Sequence, residues 1–437
     1  MSHRSRRRWQ NWSHSVTCEP NHTAYPATLE EIQSEVLRCA EEGERLRVVG
    51  AGHSFTPLCA SDENQMSLAH FTGIETTDLT QRRVWVRAGT RLRRLGQLLA
   101  ERGLAMENLG DDDQQTLAGA VATGTHGSGV RFGNLATQIS ALRIVKADGS
   151  VQTVDAQTPE LLDAARLALG ALGVITHLQL QCVDHYRLLT RSRKMPLDEA
   201  LGQLDDLQRQ HRNLELHWFA HTDTVLLKTR DLSTEPAQQP RLRSLWRDYA
   251  VDNGARWAVA ELTRRVPTAG SRLGRVAAWV GEAPATVREA QRAYAVRHLI
   301  RYNEIEYSLP VALLPQLLRQ IRRLCRALDY GFHFPLEIRF VRADTLWLSP
   351  ACRRDSVCIS LRCYKSLPHP DCVAALTELF DRHEGRPHWG KQHDKTAAAL
   401  ASLYPRFADF QALRAQWDPR GLFLNPYLAS LFGVQKR

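Results

Sequence analysis

Four ionisable side chains and an indole crowd around one glycine in His388-Trp389-Gly390-Lys391-Gln392-His393-Asp394, directly after Gly385-Arg386-Pro387. Gly and Pro interrupt regular structure, so an ordered loop is expected here. A lysine flanked by two histidines and a tryptophan packs poorly, but it suits proton handling and the grip on a polyol. His388 and His393 are five apart, which is not the spacing of a helical metal pair, and no metal is expected. Taken alone, the run is equally consistent with a solvated loop.

A second candidate lies in Leu336-Glu337-Ile338-Arg339-Phe340-Val341. Alternation along a strand sends Glu337 and Arg339 to one face, giving an acceptor and a guanidinium fork for a single ligand. The flanking apolar residues argue against a mere surface ion pair.

The elements that must position these groups begin with a series of glycine turns. Leu46-Arg47-Val48-Val49 runs into Gly50-Ala51-Gly52-His53-Ser54-Phe55. Ala88-Gly89-Thr90 follows, then Gly119-Ala120-Val121-Ala122-Thr123-Gly124-Thr125-His126-Gly127-Ser128-Gly129, then Gly170-Ala171-Leu172-Gly173-Val174-Ile175-Thr176. Each is a strand edge meeting a turn of small residues. Such turns let backbone N–H groups approach a ligand and form concave anion sites suited to a pyrophosphate. Neither a G-x-x-x-x-G-K-[ST] loop nor a G-x-G-x-x-G fingerprint is present. Several short turns spread along one region suit a long cofactor lying across it.

The 437 residues are enough for two domains with real cores. Thr28 with Glu30 and Glu31 opens a helix over 28–43. Strands are expected at 46–49, 84–87 and 174–183. Helices are expected at 92–102 and 159–169, and a hairpin around Asp148-Gly149 over 140–154. This irregular mixture indicates an α+β fold. Beyond residue 184 the composition changes. Residues 231–247 read as a loop and 252–300 as helical. Strands follow at 304–309, 336–341 and 357–361, and helices at 310–328 and 372–383, which suggests a second sheet-containing domain.

Apolar content of 43% and charged content of 24% are ordinary for a globular chain, and no apolar run is long enough to span a bilayer. The net charge of +10 comes from arginines scattered through helical patterns, such as Arg91, Arg93, Arg94 and Arg102, with no recognition motif, so nucleic acid is not an expected partner. The basic Arg4-Ser5-Arg6-Arg7-Arg8-Trp9 lacks a following hydrophobic segment. The reading is a cytoplasmic protein, with peripheral membrane contact left open. Nine cysteines without a C-x-x-C pair fit reduced, mostly buried thiols.

The order of these motifs closely resembles the aldonolactone oxidoreductases of the vanillyl-alcohol-oxidase flavoprotein superfamily, over roughly residues 10–430. That group includes gulonolactone oxidases and dehydrogenases, arabinonolactone oxidases and alditol oxidases. The resemblance implies a two-lobed FAD-binding domain at 1–184, an α+β cap with an antiparallel sheet at 185–400, and a C-terminal segment, 401–437, packing back on the first domain. It implies FAD, with His53 matching a histidine that many members bond covalently to the flavin, while in others the FAD is bound without that link. Gly50, Ala51, Gly52 and Ser54 would line the pyrophosphate and ribityl chain. Gly119, Thr123, Thr125, His126 and Gly127 would hold the other side, with Gly173, Val174 and Ile175 as a further contact strand and Thr116 as a hydroxyl near the flavin. Glu337, Arg339 and Lys391 match catalytic, substrate-binding residues, and His388 supports the substrate. Glu337 would order the substrate hydroxyl or take its proton. The implied reaction is oxidation of a sugar lactone, or of a polyol, with electrons passed to O2 or to a cytochrome or quinone; a flavin-binding electron-transfer subunit is the competing expectation. Asp111-Asp112-Asp113 departs from the pattern; its carboxylates either alter substrate choice or sit in water.

Overall fold

The computed structural model describes residues 8–220, 222–238, 282–296, 300–328, 334–364 and 370–434. The expected helical stretch at 252–300 and Arg4 to Arg7 lie largely or wholly outside these residues.

Local signals explain the first elements. Thr28 accepts a hydrogen bond from the Glu31 amide and Gly43 takes a left-handed conformation (φ 70°), so the helix Leu29–Glu42 is capped at both ends. It buries Ile32, Val36 and Cys39. Beside it, Leu46–Val49, Asn64–Ser67 and His22–Ala24 form a three-stranded parallel sheet. A five-stranded antiparallel sheet runs in the order Val151–Val154, Ile139–Val145, Val174–Gln181, Arg83–Arg87, Ile74–Asp78. The hairpin at Asp148-Gly149 forms, closed by a longer loop in which Asp148 accepts from the Ser150 amide and hydroxyl.

The third sheet has eight antiparallel strands among the described residues. Their order is Thr286–Glu289, Arg187–Pro196, Thr224–Ser233, Asn213–Trp218, Leu336–Val341, Ser356–Tyr364, Tyr302–Pro310 and Arg386–Pro387. Its two faces differ sharply. Leu216, Trp218, Ile305, Tyr307, Ile338, Phe340, Ile359 and Leu361 pack with the helices Leu314–Ala327 and Pro370–Asp381 in one apolar core. The alternate residues are charged. His217, Glu337, Ser360 and Glu306 stand opposite one another across four adjacent strands, and Glu304 stands opposite Arg362. A sheet with one apolar and one charged face needs a partner for the charges as much as for the oil.

The remaining chain ties the parts together. Leu422, Phe423, Leu424, Leu428 and Phe432 join the same core as the first helix and the two smaller sheets, as do Leu346, Leu348 and Trp389. Arg47, buried on the short parallel strand, donates to the carbonyls of Leu58, Leu169, Gly170 and Phe423. Four carbonyls on three segments are thereby satisfied by one guanidinium. All nine cysteines are free and seven are buried. No described helix is long and apolar enough to cross a membrane.

Candidate active site

The charged face of the large sheet, the Gly50–Phe55 loop, the 111–126 segment and the His388–Lys391 loop enclose a cleft of about 330 Å³. Its wall includes His53, Ser54, Thr123, Thr125, His126, Arg339, His388 and Lys391, eight of the residues singled out in the sequence. Glu337 stands directly behind, bonded to Arg339.

Lys391 is the first cation of the site. Its Nζ lies 2.5 Å from Glu304 Oε2 and 5.0 Å from the centre of the Phe55 ring. Burial alone would lower its pKa, but Glu304 and Glu306 outweigh burial and hold the ammonium above the ordinary lysine value. Lys391 is therefore held as a cation.

Arg339 and Arg362 form the second positive region. Arg339 Nη2 lies 2.9 Å from Asp111 Oδ2 and 3.0 Å from Glu337 Oε2. Arg362 reaches Glu337 at 2.5 Å, Asp111 at 3.1 Å and the Tyr302 ring at 4.9 Å. Burial pushes the Glu337 carboxyl up, yet the two guanidinium groups more than reverse this and keep it below the ordinary carboxylate value. Glu337 is held as a carboxylate by these two partners.

Two histidines have tautomers that geometry dictates. His126 Nδ1 lies 2.8 Å from the Gly127 carbonyl, which can only accept, so this nitrogen carries a proton. Its Nε2 lies 2.8 Å from Glu306 Oε1, a contact that requires one further proton between them. Burial opposes that charge, but Cys358 and Glu306 hold His126 well above the ordinary value. Ser360 donates to the other oxygen of Glu306 at 2.5 Å. His126, Glu306 and Cys358 come within 4.8 Å of one another, and His126 and Glu306 satisfy each other directly. His388 is the opposite case. Its Nδ1 accepts from the Gly390 amide at 3.0 Å, and burial drives its pKa down to about 3. It is a neutral imidazole whose Nε2–H is a donor.

His53 Nδ1 lies 2.5 Å from Asp112, and its ring stacks on Trp12 with centroids 5.8 Å apart. The acidic triplet is not simply solvated, because each member holds a different partner: Asp111 the two arginines, Asp112 His53, and Asp113 Arg93 at 2.9 Å. Sequence reasoning missed Glu304, Glu306, Arg362 and these pairings. The alternation in Tyr302–Pro310 and Ser356–Tyr364 carried the only local signal, since it puts Glu304 with Glu306, and Ser360 with Arg362, on shared faces.

The glycine turns meet one another at the cleft's edge. A Cβ on Gly50 would stand 2.6 Å from Thr116 Oγ1, and one on Gly119 would stand 2.9 Å from the same atom. Thr116 also caps the helix Leu117–Ala122 by accepting from the Gly119 amide. Gly52 (φ 69°) is left-handed and accepts at its carbonyl from the Trp12 amide. Gly50, Ala51, Gly52, Thr116, Gly119 and Gly127 lie outside the cleft wall itself. Gly173, Val174 and Ile175 also lie outside it. Gly173 is required because a Cβ there would meet the Val145 carbonyl at 2.4 Å, and the other two side chains are buried in the core.

These surroundings suit FAD. Small residues leave the backbone open at the cleft's edge, and Gln115, on the cleft wall, keeps a buried Oε1 without a partner while its amide nitrogen donates to Thr125. A polar ring system with donors and acceptors on its rim is a fitting occupant.

Comparison with known proteins agrees. Residues 20–155 match the model of an FAD-binding domain, and residues 178–431 match that of D-arabinono-1,4-lactone oxidase. An L-gulono-1,4-lactone dehydrogenase of Mycobacterium tuberculosis is 34% identical, covering 97% of this chain and 99% of its own. An L-gulonolactone oxidase of Scyliorhinus torazame is 31% identical over 97% of this chain and 98% of its own. Among solved structures, a solvent-stable cholesterol oxidase superposes with a TM-score of 0.80 at 17% identity, covering 98% of this chain and 97% of its own, a likeness of fold alone. With an FAD-binding domain followed by a match over more than half its length, the chain belongs to the D-arabinono-1,4-lactone oxidase family of flavoproteins.

Proposed function

We propose that the protein oxidises a secondary alcohol of a sugar-derived 1,4-lactone, with FAD as its cofactor. The observation that carries this reading is the pairing of a fixed lysine cation with a buried arginine at the wall of one cleft. Bound FAD supplies the hydride acceptor. The chain's own residues do the rest. Lys391 and Arg339 stabilise negative charge developing on the carbinol oxygen, in a setting where water is largely excluded. Glu337, anchored by two guanidinium groups, orders a substrate hydroxyl. His388 offers a neutral N–H to a carbonyl or hydroxyl oxygen without adding charge.

The cofactor is gripped by the Gly50–Ser54 loop and by the turn from Gly119 to Gly127, and His53 bonds to it covalently. The Asp112 carboxylate supports this last role, because its contact with Nδ1 fixes the orientation of the imidazole ring. Residues 1–184 act as the FAD-binding part, 185–400 as the cap, and 401–437 as a segment returning to the first part. Reduced enzyme passes its electrons to O2 or to another acceptor. A polyol is the alternative substrate, since the same cations serve any polyhydroxy chain. Lys391→Ala tests the reading: turnover of γ-lactones should fall by roughly two orders of magnitude with flavin content intact. Equal turnover would remove Lys391 from the chemistry.

A further inference from the structure

The charges of the cleft wall do more than hold one another in place. Four arginine and lysine side chains line it, Arg93, Arg339, Arg362 and Lys391, and five carboxylates and the protonated His126 line it with them. Every cation already faces a carboxylate within 3.1 Å. Asp111 is singular in this set, because one oxygen, Oδ2, answers both Arg339 and Arg362. It comes from a different part of the chain, the segment that also holds His53 through Asp112, and its backbone carbonyl accepts from the Val296 amide. All three partners are largely shielded, with side-chain exposures of 19% for Asp111, 9% for Arg339 and 10% for Arg362.

Among the described residues, a ligand carboxylate entering this cleft meets no arginine or lysine without an anion already on it. Desolvating a carboxylate without a free partner is costly. An uncharged ligand with hydroxyl groups faces no such barrier. This distinction matters chemically. A sugar lactone opens in water to the corresponding hydroxy acid, which keeps the hydroxyl groups and gains one negative charge.

We propose that Asp111 is a specificity-determining residue that confines the site to uncharged sugars: by completing, with Glu337, the neutralisation of Arg339 and Arg362, it makes the cleft refuse the open-chain aldonate. The inference rests on the reading of the site as one for sugar lactones and goes beyond it in naming the form that is excluded and the residue that excludes it. Asp111 acts through the arginines, so it is a positioning residue with an electrostatic effect.

The test uses the flavin-loaded protein. Sodium L-gulonate is titrated calorimetrically into wild type and Asp111→Asn, and turnover of L-gulono-1,4-lactone is followed in parallel. In the variant Arg339 and Arg362 share the single carboxylate of Glu337, and gulonate should bind at least about tenfold more tightly than in wild type, equivalent to about 1.4 kcal/mol. That gain should shrink as salt is raised, because it arises between charges. A merely structural role for Asp111 predicts no gain of affinity for an anion. Asp111→Glu, which keeps the charge, should refuse gulonate as wild type does. If Asp111→Asn does not retain flavin, Asp111→Ser repeats the measurement with a smaller neutral side chain. Equal gulonate affinity in wild type and the neutral variants overturns the proposal. Failure of wild type to turn over the lactone or any related sugar is a different result, one that removes the functional reading and this inference with it.

Discussion

Glu304→Gln replaces the carboxylate that holds Lys391 as an ammonium with a neutral group of the same shape. In wild type the two atoms are 2.5 Å apart, with Glu304 2% exposed and Lys391 about one-fifth exposed. At an effective dielectric near 20, opposite charges in contact attract by roughly 4–6 kcal/mol, and under water-like screening by about 1 kcal/mol. Loss of that attraction should lower the Lys391 pKa from its raised value. With Glu304 gone, burial and Arg362 push the lysine toward its neutral form, and Glu306 is left to oppose them. If the ammonium is the active form, wild-type kcat/KM is flat to high pH, because its loss begins only above a raised lysine pKa. In Glu304→Gln the basic limb should move down into the accessible range, with activity recovering as pH is lowered. The assay is a kcat/KM profile at matched flavin content. A variant whose basic limb coincides with that of wild type would refute the role of Glu304, and an activity that rises with pH would show Lys391 acting as a base.

Further outcomes follow from the same geometry. His53→Ala should yield protein that releases its flavin on acid precipitation, whereas wild type should keep it; retention in the variant would place the attachment elsewhere. Arg230 is 1% exposed and lies 2.7 Å from the buried Glu215. Arg230→Met should cost about 3–5 kcal/mol in denaturant unfolding, because it strands that carboxylate, and Glu215→Gln added to it should restore part of the loss. Burial raises the Glu215 pKa, but Arg230 and Lys228 hold it well below the ordinary value. Its contribution to stability is therefore present above the unfolded carboxylate pKa and is lost as pH falls through the depressed folded value. Acid titration of unfolding should show wild type losing more stability below about pH 4 than Glu215→Gln does.

Much of the site was legible where the signal was local. Thr28 and Gly43 bracket the first helix as a cap and a left-handed stop, and Leu336–Val341 carries Glu337 and Arg339 on one face because side chains alternate along a strand. The broken pattern around Gly390 does lie on a loop, and His388 and Lys391 do line the cleft. What escaped was partner choice across long separations. Asp111 and Arg339 are 228 residues apart, and no periodicity relates them. The same holds for Lys391 and Glu304, and for His126 and Glu306. The strand Arg187–Pro196 was also missed: its sequence, RLLTRSRKMP, alternates too weakly to reveal a strand that pairs on both sides. Gly173 also has a packing reason to be glycine, since a Cβ there would meet the Val145 carbonyl at 2.4 Å.

The most direct measurement of the central claim is the visible flavin absorption of purified protein mixed anaerobically with L-gulono-1,4-lactone, D-arabinono-1,4-lactone and an alditol in turn. The account predicts that a lactone bleaches the flavin in a single turnover without oxygen, and that an electron acceptor restores the colour. Flavin that stays oxidised with every one of these sugars would contradict it.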